Sequence, residues 1–244
     1  MTSIVALASP LIALAGLVLA LFGVLAARLS WISPITGFLL TVGVGLLLCG
    51  ILALVCGVIG IVRTRPAAHR TGAPQAWAGT LLGLVMLAAL FLLGPADGAP
   101  PIHDISTDLS DPPSFVALAA DEANRDRDLS YPDGPDDTAE VQRRHYSDLA
   151  TIELDLEPAE AMVEVEEAAR RLGWTLVEVD EPDGRVEAYD TTPLFRFVDD
   201  VVIRVRPGRD TGSLVDVRST SRVGQSDLGA NAERIRALRD LLLD

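Results

Sequence analysis

Three long apolar runs, none of which contains a charged side chain, occupy the first 94 positions and constrain the fold more than any other feature of the sequence. The runs cover residues 4–27, about 35–62 and about 76–93. A helix needs about 17–25 apolar residues to cross the hydrocarbon core of a bilayer. Each run reaches that length, so the sequence predicts that residues 1–94 form a transmembrane anchor of three helices.

The basic residues between the runs predict the orientation of this anchor. Arg63, Arg65, His69 and Arg70 lie between the second and third runs, whereas Arg28 alone follows the first. Short loops rich in arginine stay on the cytoplasmic side of the membrane. We therefore expect a multi-pass protein of the plasma (inner) membrane with a cytoplasmic N-terminus and a periplasmic or extracellular C-terminal domain.

Small residues recur along one face of the first two runs. They are Gly16, Gly23, Gly43, Gly50, Ala53, Gly57 and Gly60. Small residues let helix backbones approach closely in lipid, so they predict that the runs pack together, and they would also allow self-association with a second copy. No run contains Asp, Glu, Lys, Arg or His, which favours an anchor over a transporter.

The rest of the chain is strongly acidic. All 34 acidic residues lie after position 95, together with 16 of the 20 basic residues, which gives residues 95–244 a net charge of −18. Nucleic acids and anionic lipid surfaces both attract basic proteins. The charge therefore argues against a nucleic-acid partner and against a domain that lies flat on anionic lipid.

Residues 95–150 are rich in proline and aspartate, whereas residues 151–244 show clear secondary-structure patterns. Alternation predicts a strand at TIELDLE, a helix that begins at Pro158 and ends before Gly173, and four more strands. The chain ends in a helix whose apolar stripe is Leu228, Ala232, Ile235, Leu238 and Leu242. This order predicts an α+β domain with both helices on the apolar face of an antiparallel five-stranded sheet, a layout like that of the TATA-binding protein.

The other face of the predicted sheet is charged. Strand alternation places on it Glu153, Asp155, Glu178, Asp180, Glu187, Arg204, Arg206, Asp216, Arg218 and Arg222. One interpretation is a solvated ladder of cross-strand ion pairs, each worth roughly a few tenths of a kcal/mol. The other interpretation is that part of residues 95–150 covers this face and buries some of the pairs.

Two separated segments carry a resemblance to a known family. The first segment is PPIHDISTDLSDPPSF, and the second, much later in the chain, contains FVDDVVIRVRP and GSLVDVRSTSRVGQSDLGANAERIRAL. Both segments are similar to the domain of unknown function 1499 family of bacteria and plastids, members of which often carry N-terminal membrane spans. The resemblance covers residues 99–242. It implies that the HDISTD segment (residues 103–108) belongs to the folded domain and that SYPDGPDDTAEVQRRHYSDL forms a tyrosine–proline turn followed by a helix. It implies no activity.

Possible cation ligands are concentrated near the HDISTD segment. His103, Asp104, Asp108 and Asp111 have the short spacing that suits a hard cation, but they lack the regular loop of a known calcium motif. The alternative is a turn in which Asp104, Ser106 and Asp108 bond the local backbone. We expect the turn, and we predict neither a bound metal nor a cofactor.

The closing loop, SRVGQSDLG (residues 221–229), leads into the last helix and has two interpretations. Its glycines could turn backbone N–H groups towards an anion, with Arg218 or Arg222 assisting. Alternatively, Ser226 or Asp227 caps the helix and fills the place that an anion would take. Capping is the expected outcome.

Two functional hypotheses follow. In the first, the chain is a membrane-anchored cell-envelope protein whose soluble domain is a binding or structural module outside the cytoplasm, and four arginines of the charged face pair with acids of the HDISTD segment. In the second, it is a metal- or anion-dependent enzyme with a site between the HDISTD segment and the closing loop. The candidate network consists of His103, Asp104, Ser106, Asp108, Arg204, Arg206, Arg218, Arg222, Ser226, Asp227 and Asn231. The first hypothesis is favoured because no reaction motif is present.

Overall fold

The computed structural model of the chain describes residues 2–66, 69–93, 98–132, 138–209 and 211–244. The chain divides into two units, one formed by Met1–Gly94 with Pro193–Arg196 and the other by Pro95–Thr192 with Phe197–Asp244. The first unit is the anchor and the second is the soluble domain.

The apolar runs of the anchor fold into helices. In chain order these are α1 (Ile4–Arg28), α2 (Pro34–Phe38), a π-helical stretch (Leu39–Leu48), α3 (Cys49–Arg63) and α4 (Ala73–Leu93). Three helical segments are long and apolar enough to cross a membrane, namely Ile4–Arg28, Pro34–Arg63 and Ala73–Phe91. The three predicted spans are therefore confirmed by length and composition.

Small residues let the helices of the anchor pack closely. A Cβ atom added at Gly16 would lie 2.5 Å from Cβ of Cys49 and 2.6 Å from the carbonyl oxygen of Gly45. One added at Gly57 would lie 2.8 Å from the backbone nitrogen of Thr80. Such close approach leaves no room for a larger residue at Gly16 and Gly57, so these glycines serve packing within one chain, whereas a Cβ atom added at Gly43 would meet nothing within 4 Å. Self-association with a second copy stays a prediction.

Two hydroxyl groups add hydrogen bonds between the helices of the anchor. Ser9 Oγ donates to the carbonyl oxygen of Ala53 at 2.8 Å, and Thr41 Oγ1 donates to that of Ala20 at 2.9 Å. Both side chains are buried. Each hydroxyl is satisfied by backbone rather than by water, as a polar group within a membrane span must be.

The soluble domain contains one antiparallel sheet of six strands. They are β1 (Asp104–Ser106), β2 (Ile152–Leu154), β3 (Thr175–Asp180), β4 (Arg185–Thr191), β5 (Val198–Pro207) and β6 (Ser213–Ser221). The order is β1–β6–β5–β4–β3, and β2 pairs with the first half of β6 while β1 pairs with the second half. The α+β class and the five predicted strands are confirmed. The predicted number was one too low because the HDISTD segment supplies β1.

The helices of the soluble domain are α5 (Ala117–Ala120), a 3₁₀ turn (Glu122–Asn124), α6 (Thr138–His145), α7 (Pro158–Arg171) and α8 (Ala230–Leu243). As predicted, α7 begins at Pro158 and ends just before Gly173, whose φ of +81° suits glycine. Leu228 is not part of the last helix, because a turn precedes Ala230, and its side chain is exposed. The helix predicted after the tyrosine–proline turn is α6, and residues 133–137 of that turn lie outside the described residues.

The helices α7 and α8 cover the apolar face of the sheet. Val165 and Ala168 of α7 and Ile235 and Leu238 of α8 are buried there. The strand residues of the same core are Ile105, Ile152, Leu154, Val186, Ala188, Val201, Ile203, Val205, Val215 and Val217. Both helices thus bury the stripes that their sequences predict. The likeness to the layout of the TATA-binding protein stays a prediction.

Residues 107–131, called the covering segment below, lie over much of the charged face. Glu187 and Asp216 on this face have no exposed surface. Glu153 and Asp155, at the β2 end of the face, are exposed. The solvated-ladder interpretation is therefore wrong for the centre of the charged face, where the covering segment buries the ion pairs.

Candidate functional site

A fully buried ion pair joins Arg218 of β6 to Asp104 of β1. Arg218 Nε donates to Asp104 Oδ1 at 2.9 Å, and Nη2 donates to Oδ2 at 2.7 Å. Arg218 is 2% exposed and Asp104 is 4% exposed. Two parallel hydrogen bonds give the bidentate geometry in which attraction can offset the loss of hydration of both charges.

The pairing of β1 with β6 brings these two side chains together. Asp104 lies opposite Thr220, and Ser106 lies opposite Arg218. Because residues two apart on a strand share a face, Asp104 and Arg218 are diagonal neighbours on the charged face. A slip of one residue would move Asp104 to the other face, so the ion pair also specifies the register of β1.

The remaining contacts of Arg218 reach the covering segment. Nη1 donates to the carbonyl oxygen of Pro113 at 3.2 Å, and Nη2 donates to that of Leu129 at 3.0 Å. The guanidinium carbon lies 5.0 Å from the ring centre of Phe115 and 5.2 Å from that of Tyr131, within the range of cation–π attraction. One side chain of β6 thus contacts β1 and two separate parts of the covering segment.

Arg204 and Arg206 also bind the HDISTD segment. Each donates to Asp108 Oδ2 at 3.3 Å. Each also donates to Asp216 Oδ2, at 3.1 Å from Arg204 and 2.5 Å from Arg206. Arg204 further donates to Asp111 Oδ2 at 2.8 Å. Two guanidinium groups and three carboxylates therefore tie the beginning of the covering segment to β5 and β6.

The surroundings of Asp108 keep its carboxylate ionised. Burial by itself would raise the pKa of Asp108. Hydrogen bonds from Ser110 and from the backbone of Asp111, together with the charge of Arg204, outweigh burial and lower that pKa below its ordinary value of 3.8. Asp108 Oδ1 accepts from Ser110 Oγ at 2.7 Å and from the N–H groups of Ser110 and Asp111 at 3.0 and 3.1 Å. These bonds form the expected local turn for Asp108, whereas Asp104 takes no part in it because its carboxylate pairs with Arg218.

Arg222 pairs with Asp200 of β5 rather than with the HDISTD segment, so the first hypothesis was wrong for this arginine. Its Nε and Nη2 donate to Asp200 Oδ1 at 2.9 and 2.7 Å. Asp200 also accepts from Arg127 Nη1 at 2.7 Å and from Asn124 Nδ2 at 3.1 Å. Arg222 lies beyond the last β6 residue that pairs with β1. It therefore helps to hold the far end of the covering segment.

Glu187 of β4 binds the middle of the covering segment, a role that the sequence did not reveal. Its Oε1 accepts from the N–H groups of Val116 and Ala117 at 2.7 and 3.1 Å, and its Oε2 accepts from that of Leu118 at 2.8 Å. The carboxylate thus satisfies the free N–H groups at the start of α5. Alternation in RVEAYD indicated only the face on which Glu187 lies.

His103 bonds through its backbone carbonyl group, whereas Ser106 bonds through its backbone and also through its hydroxyl group, which donates to the carbonyl oxygen of Asp108 at 2.9 Å. The carbonyl oxygen of His103 accepts from Ser221 N–H at 3.0 Å and from Asn231 Nδ2 at 2.9 Å. The side-chain amide of Gln142 bonds the N–H and the carbonyl oxygen of Ser106, at 3.0 and 2.6 Å. Within the described part of the chain, no three His, Cys, Asp or Glu side chains are placed to hold a metal ion. The HDISTD acids bind arginines instead.

The carboxylate of Asp227 occupies the N-terminus of α8. Its Oδ1 accepts from Gly229 N–H and its Oδ2 accepts from Asn231 N–H, both at 2.9 Å. Ser226 Oγ donates to the carbonyl oxygen of Pro100 at 3.4 Å, which ties the closing loop to the residues before β1. The structure thus has the capping arrangement, and an anion at this helix end would meet a carboxylate.

Asn231 and Arg234 form a second buried polar cluster, on the helix side of the sheet. Asn231 Oδ1 accepts from Ser219 Oγ at 2.6 Å and from Arg234 Nη1 at 2.7 Å. Arg234 also donates to Asp199 Oδ2 at 2.7 Å and to Asp190 Oδ2 at 3.0 Å. Burial raises the pKa of Asp199, although the charge of Arg234 opposes the shift. Arg234 was missed because arginines are mostly exposed and nothing in its helical spacing signals a buried partner.

Two cavities of the soluble domain are lined by described residues. The larger, of about 810 Å³, lies between the start of α7 and the turn from β3 to β4, and its lining includes Arg206 of the candidate network. The smaller, of about 250 Å³, is lined by residues 98–100, His145, Tyr146 and Gly229, and by Glu233 and Arg236 of α8. The smaller cavity therefore lies where the residues before the HDISTD segment meet the last residue of the closing loop.

Comparison with known proteins places this architecture in a family. The family model described as "Protein of unknown function (DUF1499)" matches residues 104–242, which is more than half of the chain. The chain belongs to the DUF1499 family. The DUF1499 match begins at β1 and ends within α8, so it contains all of the candidate network except His103. It confirms the resemblance that the two motifs carried. No curated protein matches the chain.

Proposed function

We propose that this DUF1499 protein is a membrane-anchored cell-envelope protein whose soluble domain is a binding or structural module outside the cytoplasm. The buried ionic network around Arg218 and Asp104 carries the proposal. Its charged groups bond to one another and to the backbone of the covering segment. Such a network builds a rigid scaffold, because its hydrogen-bonding capacity serves to hold loops in place.

The cysteine distribution agrees with a scaffold held by charges. Cys49 and Cys56 are the only cysteines of the chain, and both lie in the anchor. Small domains outside the cytoplasm often fix irregular segments with disulfides. In this domain Arg218, Arg204 and Arg206 take that role for the covering segment.

The location outside the cytoplasm is supported by the anchor. Three helices are long and apolar enough to cross a membrane. Arg63, Arg65 and Arg70 follow the second of them, which favours a cytoplasmic loop between the second and third spans. The third span then ends on the far side, and the soluble domain follows it.

Labelling of single thiols tests this location. In a chain with Cys49→Ala and Cys56→Ala, the further change Ala120→Cys adds a thiol on the covering segment, and Gln75→Cys adds one at the start of α4. Both positions are exposed. We expect a membrane-impermeant maleimide to label the Ala120→Cys chain in intact cells or spheroplasts and the Gln75→Cys chain only after permeabilisation.

The controls for this experiment are built into the same two variants. After solubilisation in detergent both thiols should react, which shows that neither is hidden by the fold. Labelling of the Gln75→Cys chain in intact cells, with protection of the Ala120→Cys chain, would place the soluble domain in the cytoplasm and contradict the proposal.

A further inference from the structure

The larger cavity of the soluble domain is an apolar cleft that is open to solvent. Met162 of α7 and Val205 of β5 are each 5% exposed and form its inner wall, and Val179 of β3 is half-buried beside them. Val163 of α7 also lines the cleft, although 54% of its surface is exposed. The volume of about 810 Å³ lies within the range of about 300–1,000 Å³ that is usual for small-molecule sites. A ligand can therefore enter the cleft and cover apolar surface that the fold leaves in contact with water.

Three carboxylates lie among the residues that line the cleft. Glu181 and Asp183, in the turn from β3 to β4, are exposed, and Glu166 lies on α7. Glu166 bonds Arg170, and Asp183 Oδ2 lies 3.5 Å from Arg185 Nη1. Among the described residues, the Glu181 side chain forms no hydrogen bond and no ion pair. An accessible carboxylate without a cation is thus present at the edge of an apolar cleft.

The arginines near the cleft are already matched by carboxylates. Arg206 is the one arginine that lines the cleft in the described part of the chain, and its Nη2 donates to Asp216 at 2.5 Å and to Asp108 at 3.3 Å. Arg185 likewise binds two acids of β3, and Arg209, in the loop after β5, does not line the cleft. An anionic ligand would therefore meet a paired guanidinium group and three carboxylates, so Coulomb attraction favours a cation.

We propose that this cleft binds a small amphipathic organic cation. The apolar body of the ligand covers Met162, Val163 and Val179, and its ammonium group lies at the entrance beside the carboxylates of Glu181 and Asp183. Burial of apolar surface supplies most of the affinity, and the carboxylates select the charge. The net charge of −18 on residues 95–244 also draws cations towards the domain. This inference rests on the proposed role of the domain as a binding module, and it holds on either side of the membrane.

The methionines of the chain can report binding directly. Met162 lines the cleft, whereas Met86 is 1% exposed inside the anchor. NMR of the full chain in a nonionic detergent, labelled with ¹³C at the methionine methyl groups, follows both signals during titration with 4-phenylbutylamine. The neutral counterpart is 4-phenylbutanol and the anionic one is 4-phenylbutyrate. We expect the amine to shift the Met162 signal saturably and to leave the Met86 signal in place. The alcohol should bind about 5-fold more weakly, and the carboxylate more weakly still.

Two variants on separate elements test where the ligand lies. Ala159→Trp fills the cleft from an exposed position of α7 and should abolish the shift of the Met162 signal. Glu181→Gln combined with Asp183→Asn removes the two charges at the entrance. This double change should weaken binding of the amine about 5-fold and leave binding of 4-phenylbutanol unchanged, because only the charged ligand loses an attraction.

The matched control is Glu164→Gln combined with Glu167→Gln, which removes two exposed carboxylates of α7 that do not line the cleft and should leave amine affinity unchanged. Thermal melting of each variant shows that it is folded. Absence of a saturable Met162 shift, an equal shift of Met86, or equal affinity for the alcohol or the carboxylate overturns the inference. So does full binding by the Ala159→Trp chain or unchanged amine affinity without the two entrance charges. Thiol labelling decides the location separately, so a failed site and a failed location give different results.

Discussion

The two faces of the sheet in the soluble domain are covered by opposite means. On one face α7 and α8 bury aliphatic side chains against the strands. On the other, arginine–carboxylate pairs hold an irregular segment, with Phe115 and Leu118 packed on Val202 between them. Apolar burial is favourable in many arrangements, whereas a buried ion pair is favourable only when both partners meet in good geometry. The helices therefore supply stability, and the charged face determines which segment covers it.

Removal of Arg218 is the strongest test of this contrast. Arg218→Ala leaves Asp104 buried without its partner and removes the bonds to Pro113 and Leu129. Loss of one partner of a buried pair costs about 3–5 kcal/mol. We expect the covering segment to become sensitive to limited proteolysis and to exchange its amide hydrogens faster, as measured by mass spectrometry on the full chain.

The matched control for this change is Arg170→Ala. Arg170 pairs with Glu166 on the surface of α7, and an exposed pair of this kind contributes roughly 0.5 kcal/mol. It should leave the covering segment protected. Unchanged cleavage of the Arg218→Ala chain would show that the ion pairs do not hold this segment.

A cavity created by mutation in the apolar core should have a different effect from the loss of Arg218. Leu238 of α8 is fully buried, and Leu238→Ala is expected to cost about 3 kcal/mol through lost burial and an unfilled space. Because the core is shared by both helices and five strands, hydrogen exchange should accelerate throughout the sheet rather than in the covering segment alone. Selective loosening of the covering segment by Leu238→Ala would contradict the division of roles between the two faces.

An exposed ion pair is the opposite case to the buried pairs of the charged face, because its contribution to stability should be small. A hydrogen bond from Arg236 lowers the pKa of Asp148 from 3.8 to about 2 in the folded protein. A lowered folded-state pKa means that the pair stabilises the fold above about pH 4 and that this contribution is lost as the pH falls through about 2. Asp148 is nearly half exposed, so solvent should limit the effect to less than about 1 kcal/mol.

The measurement compares wild type with Asp148→Asn. The difference in the free energy of unfolding between them should be present at pH 6 and should shrink towards zero near pH 2. A difference that stays constant over this range would mean that the charge of Asp148 does not stabilise the fold.

Periodic parts of the soluble domain were predictable, and the short irregular parts were not. Pro158 and Gly173 mark the ends of α7, and the alternation of VDDVVIRVRP delimits β5. By contrast β1 is three residues long, too short for a period-2 pattern to be distinguished from a loop. Its place in the fold followed from the family resemblance rather than from periodicity.

The partners of the charged residues depended on register. In the sequence Arg218 and Arg222 are equivalent, since both lie on the charged face of the same strand. Only the pairing of β1 with residues 218–220 places Arg218 beside Asp104 and leaves Arg222 for Asp200. Glu187 and Arg234 were overlooked for the same reason, because their partners lie 69 and 35 positions away and no local pattern connects them.

The sequence by itself determined the three apolar spans, the α+β class, the apolar stripes of α7 and α8, and membership of the DUF1499 family. These properties arise from composition and periodicity, which act over a few neighbouring residues. The tertiary structure alone decided which acid each arginine binds, that the covering segment buries the centre of the charged face, and that the Tyr146 hydroxyl is buried without a hydrogen-bond partner among the described residues. These depend on strand register and on contacts between distant segments, because electrostatic and hydrogen-bond energies change sharply with geometry.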